Sequence, residues 1–161
     1  SFAAGQFNRH RGNSQMFFNA TTVIGDYQNG KIYKFDLEEY SDDGAPQKWL
    51  RSWRALPTGA NNLARTIQHA MQLDCETGVG LNAGQGSNPQ VMLRFSDDGG
   101  HTWSNEHWKS MGAIGRSGYR TIWRRLGATM KIRDRVYEVS GTDPVRIYIM
   151  GAELLLSGTR A

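Results

Sequence analysis

One cysteine, Cys75, stands in a chain of 161 residues. No internal disulfide can form, which fits synthesis in a reducing compartment. The lone thiol reads as a small buried hydrophobe and not as a reactive group. Long apolar runs are missing as well. None approaches the roughly 20 residues of a membrane helix, so no membrane partner is expected. The opening stretch SFAAGQFNRHRGNS has no apolar segment of the kind a secretory signal carries. It also lacks an initiator Met, and the chain reads as part of a longer one. The histidines His10, His69, His101 and His107 share no ligand spacing. A nucleophile elbow, a phosphate loop and an H-E-x-x-H helix are all absent. No catalytic residue, no metal and no cofactor is therefore expected.

What remains is a folded domain's composition, 39% hydrophobic and 21% charged. The length suits a single domain over residues 1–161 with a real core. The formal charge of +4 is uneven. Residues 1–108 carry 9 Lys and Arg against 11 Asp and Glu, whereas residues 109–161 carry 10 against 4. A basic half suggests contact with nucleic acid or with an acidic protein surface, unless it is simply a solvated face with ordinary salt bridges.

The chain reads as strands punctuated by glycine. GDYQNGKIYKFD holds Asn29-Gly30, a hairpin signal, and SDDGAP (41–46) is a second turn. KWLRSWRAL places Trp49, Arg51 and Trp53 on one face. In IQHAMQLDC, alternation puts Ile67, His69, Met71, Leu73 and Cys75 on one side, which favours a strand over a competing helix for 62–72. ETGVGLNAGQGSNP (76–89) is loop, flexible or tightly turned, and lacks the Lys-Ser/Thr that follows a phosphate loop. QVMLRFS points Val91, Leu93 and Phe95 inward. YRTIWRRLG, RVYEVSG and VRIYIMGAELLL continue the pattern, with Asp143-Pro144 as a turn. About eight or nine strands result, an all-β fold. Antiparallel blades of a β-propeller-like domain are the favoured arrangement, since the turns divide the chain into two blade-sized groups. A two-sheet β-sandwich is the alternative, because free blades leave edges open.

The run FSDDGGHTW (95–103) is the most distinctive. Ser96, Asp98, Gly100, Thr102 and Trp103 stand at S-x-D-x-G-x-T-W spacing. Asp98 can accept from backbone N–H groups ahead of it and close a turn. Gly100 can take positive φ. The Ser96 and Thr102 hydroxyls can face each other, and Trp103 can lie over the hairpin base. An EF-hand loop would need flanking helices and spaced acids, although Glu106 does stand six residues past Gly100. A glycosidase pair would need acids facing across a sugar, whereas Asp97 and Asp98 are adjacent and point apart. The run reads as a structural turn and resembles the Asp-box hairpin of sialidases and other β-propellers.

The basic run comprises Lys109, Arg116, Arg120, Arg124, Arg125, Lys131, Arg133 and Arg135. Arg120, Ile122 and Arg124 alternate with Thr121, Trp123 and Arg125, so both faces of that strand carry arginine. One face is a candidate contact surface and the other a set of pairs with Glu138 or Asp134. Arginine among Trp and Tyr suits a protein interface as well as a nucleic-acid groove. Any DNA contact would go through backbone charge, without sequence preference.

The order of GDYQNGKIYKFD, DCETGVGLNAGQGSNPQVMLRFSDDGGHTWSNEHWKSMG, WRRLG and RDRVYEVSGTDPVRIYIMGAEL resembles the tail accessory proteins of short-tailed bacteriophages, also called packaged-DNA stabilisation or tail hub proteins. The resemblance implies the C-terminal portion of a longer structural protein of the virion tail. It implies a homo-oligomeric ring, usually six-fold, below the portal or head-to-tail adaptor. Such a ring retains packaged DNA, touches double-stranded DNA weakly, and docks needle, fibre or spike proteins. On that footing Arg116, Arg120, Arg124, Arg125, Arg133 and Arg135 are expected mostly to meet protein. The rival function is a sialidase-like or carbohydrate-binding module, with Trp49, Trp53, Trp108 and Trp123 as stacking faces.

Overall fold

The computed structural model describes residues 2–3, 6–54, 65–129 and 135–158. They form strands and loops without a helix, so the expected all-β class is correct. By its internal contacts the chain divides into two compact units, Ser1–Gln47 and Lys48–Ala161.

The first unit is built from short hairpins. β1 (Phe2–Ala3) pairs with β2 (Gln6–Phe7). β3 (Gly12–Phe18), β4 (Thr21–Asp26) and β5 (Ile32–Lys34) form an antiparallel meander. Asn19 and Ala20 join β3 to β4 with φ of 47° and 59°. Two consecutive left-handed residues match the twist of a two-residue hairpin. The Asn29-Gly30 turn forms as expected, with Asp26 N–H donating to the Lys31 carbonyl at 2.9 Å. β6 (Ser41–Asp42) and β7 (Ala45–Pro46) close the SDDGAP turn through Asp43 and Gly44, again both left-handed. Burial here is slight: Met16, Phe17, Phe18 and Ile32 are all exposed.

The second unit is a two-sheet sandwich, the alternative arrangement and not the propeller blades. One sheet runs β11-β10-β13-β8, from β8 (Trp49–Arg54), β10 (Gln90–Ser96), β11 (His107–Ser110) and β13 (Val136–Gly141). The other runs β12-β9-β14, from β9 (Thr66–Cys75), β12 (Thr121–Ala128) and β14 (Ile149–Gly158). A blade is a meander of consecutive strands within one sheet. Here β8 to β9, β9 to β10, and each step from β11 to β14 change sheet, so among the described residues of this unit only β10–β11 is a local hairpin. Met71, Leu73 and Cys75 of β9 with Trp123 and Leu126 of β12 meet Val91 and Leu93 of β10 and Tyr137 and Val139 of β13. Trp49, Trp53 and Phe95 pack against this core.

β9 departs from simple alternation. Met71, Leu73 and Cys75 point inward as expected, but Ile67 and His69 are exposed and Thr66 and Gln68 are buried. The cause is a β-bulge. On one side Leu155 pairs with Ala70 and Leu156 with Gln68, leaving His69 unopposed. On the other, Arg124 pairs with Ala70 and Gly127 with Gln68, so Arg125 and Leu126 of β12 stand against His69. A bulge reverses which residues face the core beyond it. The newly buried Gln68 is satisfied: Tyr137 Oη donates to its Oε1 at 2.7 Å, and its Nε2 donates to Thr66 Oγ1 at 3.1 Å.

Arg125 takes the left-handed conformation at φ 60° to make this bulge. Arg125→Gly is therefore expected to leave stability unchanged or raise it by up to about 1 kcal/mol. Trp123→Ala, two residues earlier in the core, should cost about 3–5 kcal/mol. Urea unfolding of both variants checks the contrast.

Candidate assembly surface

The S-x-D-x-G-x-T-W run connects β10 to β11 and is tied by its own side chains. Ser96 Oγ donates to Asp98 Oδ1 at 2.6 Å and accepts from Gly100 N–H at 2.8 Å. Asp98 also accepts from the N–H of His101 at 2.9 Å and of Thr102 at 2.9 Å, and from Thr102 Oγ1 at 2.7 Å. Gly99 and Gly100 have φ of 76° and 104°, which other residues rarely adopt. Ser96 and Thr102 thus share the Asp98 carboxylate between them instead of bonding each other. The Ser96 hydroxyl, then the Thr102 N–H and hydroxyl, hold the Asp98 carboxyl well below the usual carboxylate range.

Asp97 and Asp98 point to different tasks, as their adjacency requires. Asp97 accepts a forked pair from Arg135, Nε to Oδ1 at 2.6 Å and Nη2 to Oδ2 at 2.7 Å. Arg135 is only 2% exposed. Its Nη1 donates to the Leu126 carbonyl at 2.7 Å, its Nη2 to the Ala128 carbonyl at 3.1 Å, and its guanidinium lies 4.3 Å over the Phe95 ring. Burial opposes the charge, yet its bonded partners, Asp97 first, keep its pKa above the ordinary value. Arg135 therefore joins the two sheets from inside and is not a surface residue, contrary to the expectation from sequence.

On the outer side of the same hairpin, Arg94 bonds Glu138 across the β10–β13 register and sits 4.6 Å from the Trp103 ring. Glu138 thus pairs with Arg94, not with an arginine of β12. Cys75 is buried against Thr121, and burial pushes its thiol pKa up, which keeps it an inert thiol. Trp123 is buried with Nε1 donating to the His107 carbonyl at 2.8 Å, whereas Trp108 stays exposed.

Four of the expected contact arginines do reach solvent. Arg124 and Arg125 are both exposed because the bulge turns Arg125 away from the core that strict alternation would give it. Arg120 is exposed and bonds the neutral Gln72. Arg116 lies in the 111–119 loop, which is fixed by contacts to the 76–89 loop. Gly115 N–H donates to the Gly78 carbonyl at 3.1 Å, and Thr77 Oγ1 donates to the Ser117 carbonyl at 2.7 Å. A Cβ at Gly80 would stand 2.6 Å from the Ser87 carbonyl oxygen, so the long loop is tightly turned. Arg133, with Lys131 and Asp134, lies outside the described residues.

The bacteriophage P22 Gp10 β-sandwich family model matches residues 48–156. The chain belongs to that family. The match starts where the second unit starts, so the Gp10-family part is the sandwich itself. This makes the chain a structural protein of a phage tail. No curated protein matches it. Sequence reading missed the Arg135–Asp97 clamp in this Gp10-family sandwich. The only available signal was an aspartate left over beside the one that closes the turn.

Two outcomes follow. Arg135→Ala strands Asp97 and two carbonyls, and should cost about 3–5 kcal/mol in denaturant unfolding. Asp98→Ala should lower the melting temperature at pH 7. A carboxyl with a depressed folded-state pKa contributes stability that is fully present above its unfolded pKa of about 4 and is lost as pH falls through the folded value. The gap between wild type and Asp98→Ala should therefore narrow steadily below about pH 4, which melts from pH 7 to pH 2 would show.

Proposed function

We propose that the chain forms part of a homo-oligomeric ring below the portal of a short-tailed phage. In that position it lines the DNA conduit, keeps packaged DNA from leaking, and gives needle, fibre or spike proteins a place to dock. It does this without catalysis and without a cofactor. The family match over the whole sandwich carries this reading. Three features support it. The core is tied across its two sheets by the buried Arg135, which suits a rigid load-bearing unit. The S-x-D-x-G-x-T-W turn acts as an Asp-box, a folding device that stiffens the β10–β11 hairpin and has no ligand of its own. The exposed arginines Arg116, Arg120, Arg124 and Arg125 offer a contact surface for protein. A conduit must let DNA slide, so its grip on duplex DNA should be weak and salt-sensitive.

Virions assembled without this protein test the reading. Heads should fill but lose their DNA to added nuclease, while particles supplied with the protein should protect it. Particles that lack the protein yet keep their genome intact would count against a retaining role. Filter binding of short duplex DNA should show affinity falling by about a hundredfold or more between 50 and 200 mM salt, with no preference among sequences.

A further inference from the structure

Four exposed arginines of the sandwich, Arg116, Arg120, Arg124 and Arg125, meet no acid among the described residues. Arg94, Arg135 and Arg146 each pair with a carboxylate, on Glu138, Asp97 and Glu76. Arg116, Arg124 and Arg125 have no hydrogen-bond or ion-pair partner among the described residues, and Arg120 bonds only an amide. They follow one another from the fixed 111–119 loop into β12, an outer strand of its sheet. Exposed Ile114 and Tyr119 lie in the same run.

The first unit carries the opposite charge. Residues 36–43 hold Asp36, Glu38, Glu39, Asp42 and Asp43 with no base among them. Lys34 pairs with Asp36 and Lys31 with Asp43. Glu38, Glu39 and Asp42 are left without a cation among the described residues. Leu37, 83% exposed, stands in the middle of this acidic segment. Each surface thus has uncompensated charge of one sign around exposed apolar side chains, and the signs are complementary.

We propose that the arginine side of the sandwich, Arg116, Arg120, Arg124 and Arg125, docks the acidic 36–43 segment of a second copy of this chain. Such a contact joins two different surfaces. Repeated from copy to copy it builds a ring where the rotation between copies closes, whereas a contact of one surface with itself would stop at a dimer. The inference rests on the ring reading and names the surfaces that would build it.

Four proteins and one mixture, followed by light scattering, test it. Arg120→Glu with Arg124→Glu, and Glu38→Lys with Glu39→Lys, change exposed side chains only, and circular dichroism should show both folded. Each variant alone should self-associate about a hundredfold more weakly than wild type. Mixed, they should assemble again into an oligomer of alternating copies, because one contact joins the two unaltered surfaces and the next joins the two charge-exchanged ones. All four changes in one chain should restore the oligomer. Wild-type association should also weaken as salt rises. Variants that assemble like wild type would overturn the contact and leave the ring reading standing. A mixture that stays monomeric would overturn it too. A wild type that stays monomeric at every concentration would count against both.

Discussion

The sandwich depends on one local irregularity, the bulge that sets Arg125 and Leu126 of β12 against His69 of β9. Side chains alternate with period two along a strand, so one inserted residue exchanges inside for outside in all that follows. On the Cys75 side of the bulge, β9 buries Met71 and Leu73. On the other side it buries Gln68 and Thr66, and the core becomes polar there. Tyr137, Gln68 and Thr66 bond in series at that end, so the polar groups are buried with partners. Arg135 enters at the same end and takes the carbonyls of Leu126 and Ala128, at and beyond the bulge. Bulge, polar chain and buried arginine are therefore one arrangement.

That arrangement also decides the outer surface. Strict alternation along β12 would send Arg125 inward beside Trp123. The left-handed turn at Arg125 sends it out and gives the inward place to Leu126. Two adjacent arginines then face solvent from an outer strand. Charge on an outer strand discourages pairing with another sheet through free backbone groups. It leaves side-chain contact as the route by which that strand can meet a partner.

Much of this was legible in the residues. Strand positions, the Asn29-Gly30 and SDDGAP turns, and the Asp98-centred hairpin follow from local chemistry, where a few neighbouring side chains decide the backbone. The sheet assignment was not legible, because turns mark where strands end and not which sheet receives the next one. Two groups of four strands fit blades and a sandwich equally until the pairing of β10 with β13 and of β9 with β14 is known. The bulge was hidden for a related reason. Ile67 and His69 continue a regular pattern in sequence, and only the cross-strand register shows that the pattern breaks at His69. Arg135 was misplaced because a guanidinium is buried only when its acceptors are in place, and those acceptors come from two separate segments, the β10–β11 turn and β12.

The paired aspartates show how function of the structural kind is distributed here. Asp98 bonds within its own turn and is nearly independent of the rest of the fold. Asp97, one residue earlier, bonds an arginine held by the opposite sheet. The hairpin is thus closed locally and anchored globally by consecutive carboxylates. A turn fixed in both ways holds Trp103 against Arg94, and Arg94 in turn covers the buried Glu138 on the outer side of β13. Arg94 thus meets the outer face of β13 at Glu138 while Tyr137 and Val139 fill its inner face, and that central strand is buried along nearly its whole length. Rigidity of this sort needs no ligand and no catalytic group. It is what a repeated structural unit requires if each copy is to present the same contact surface as the last.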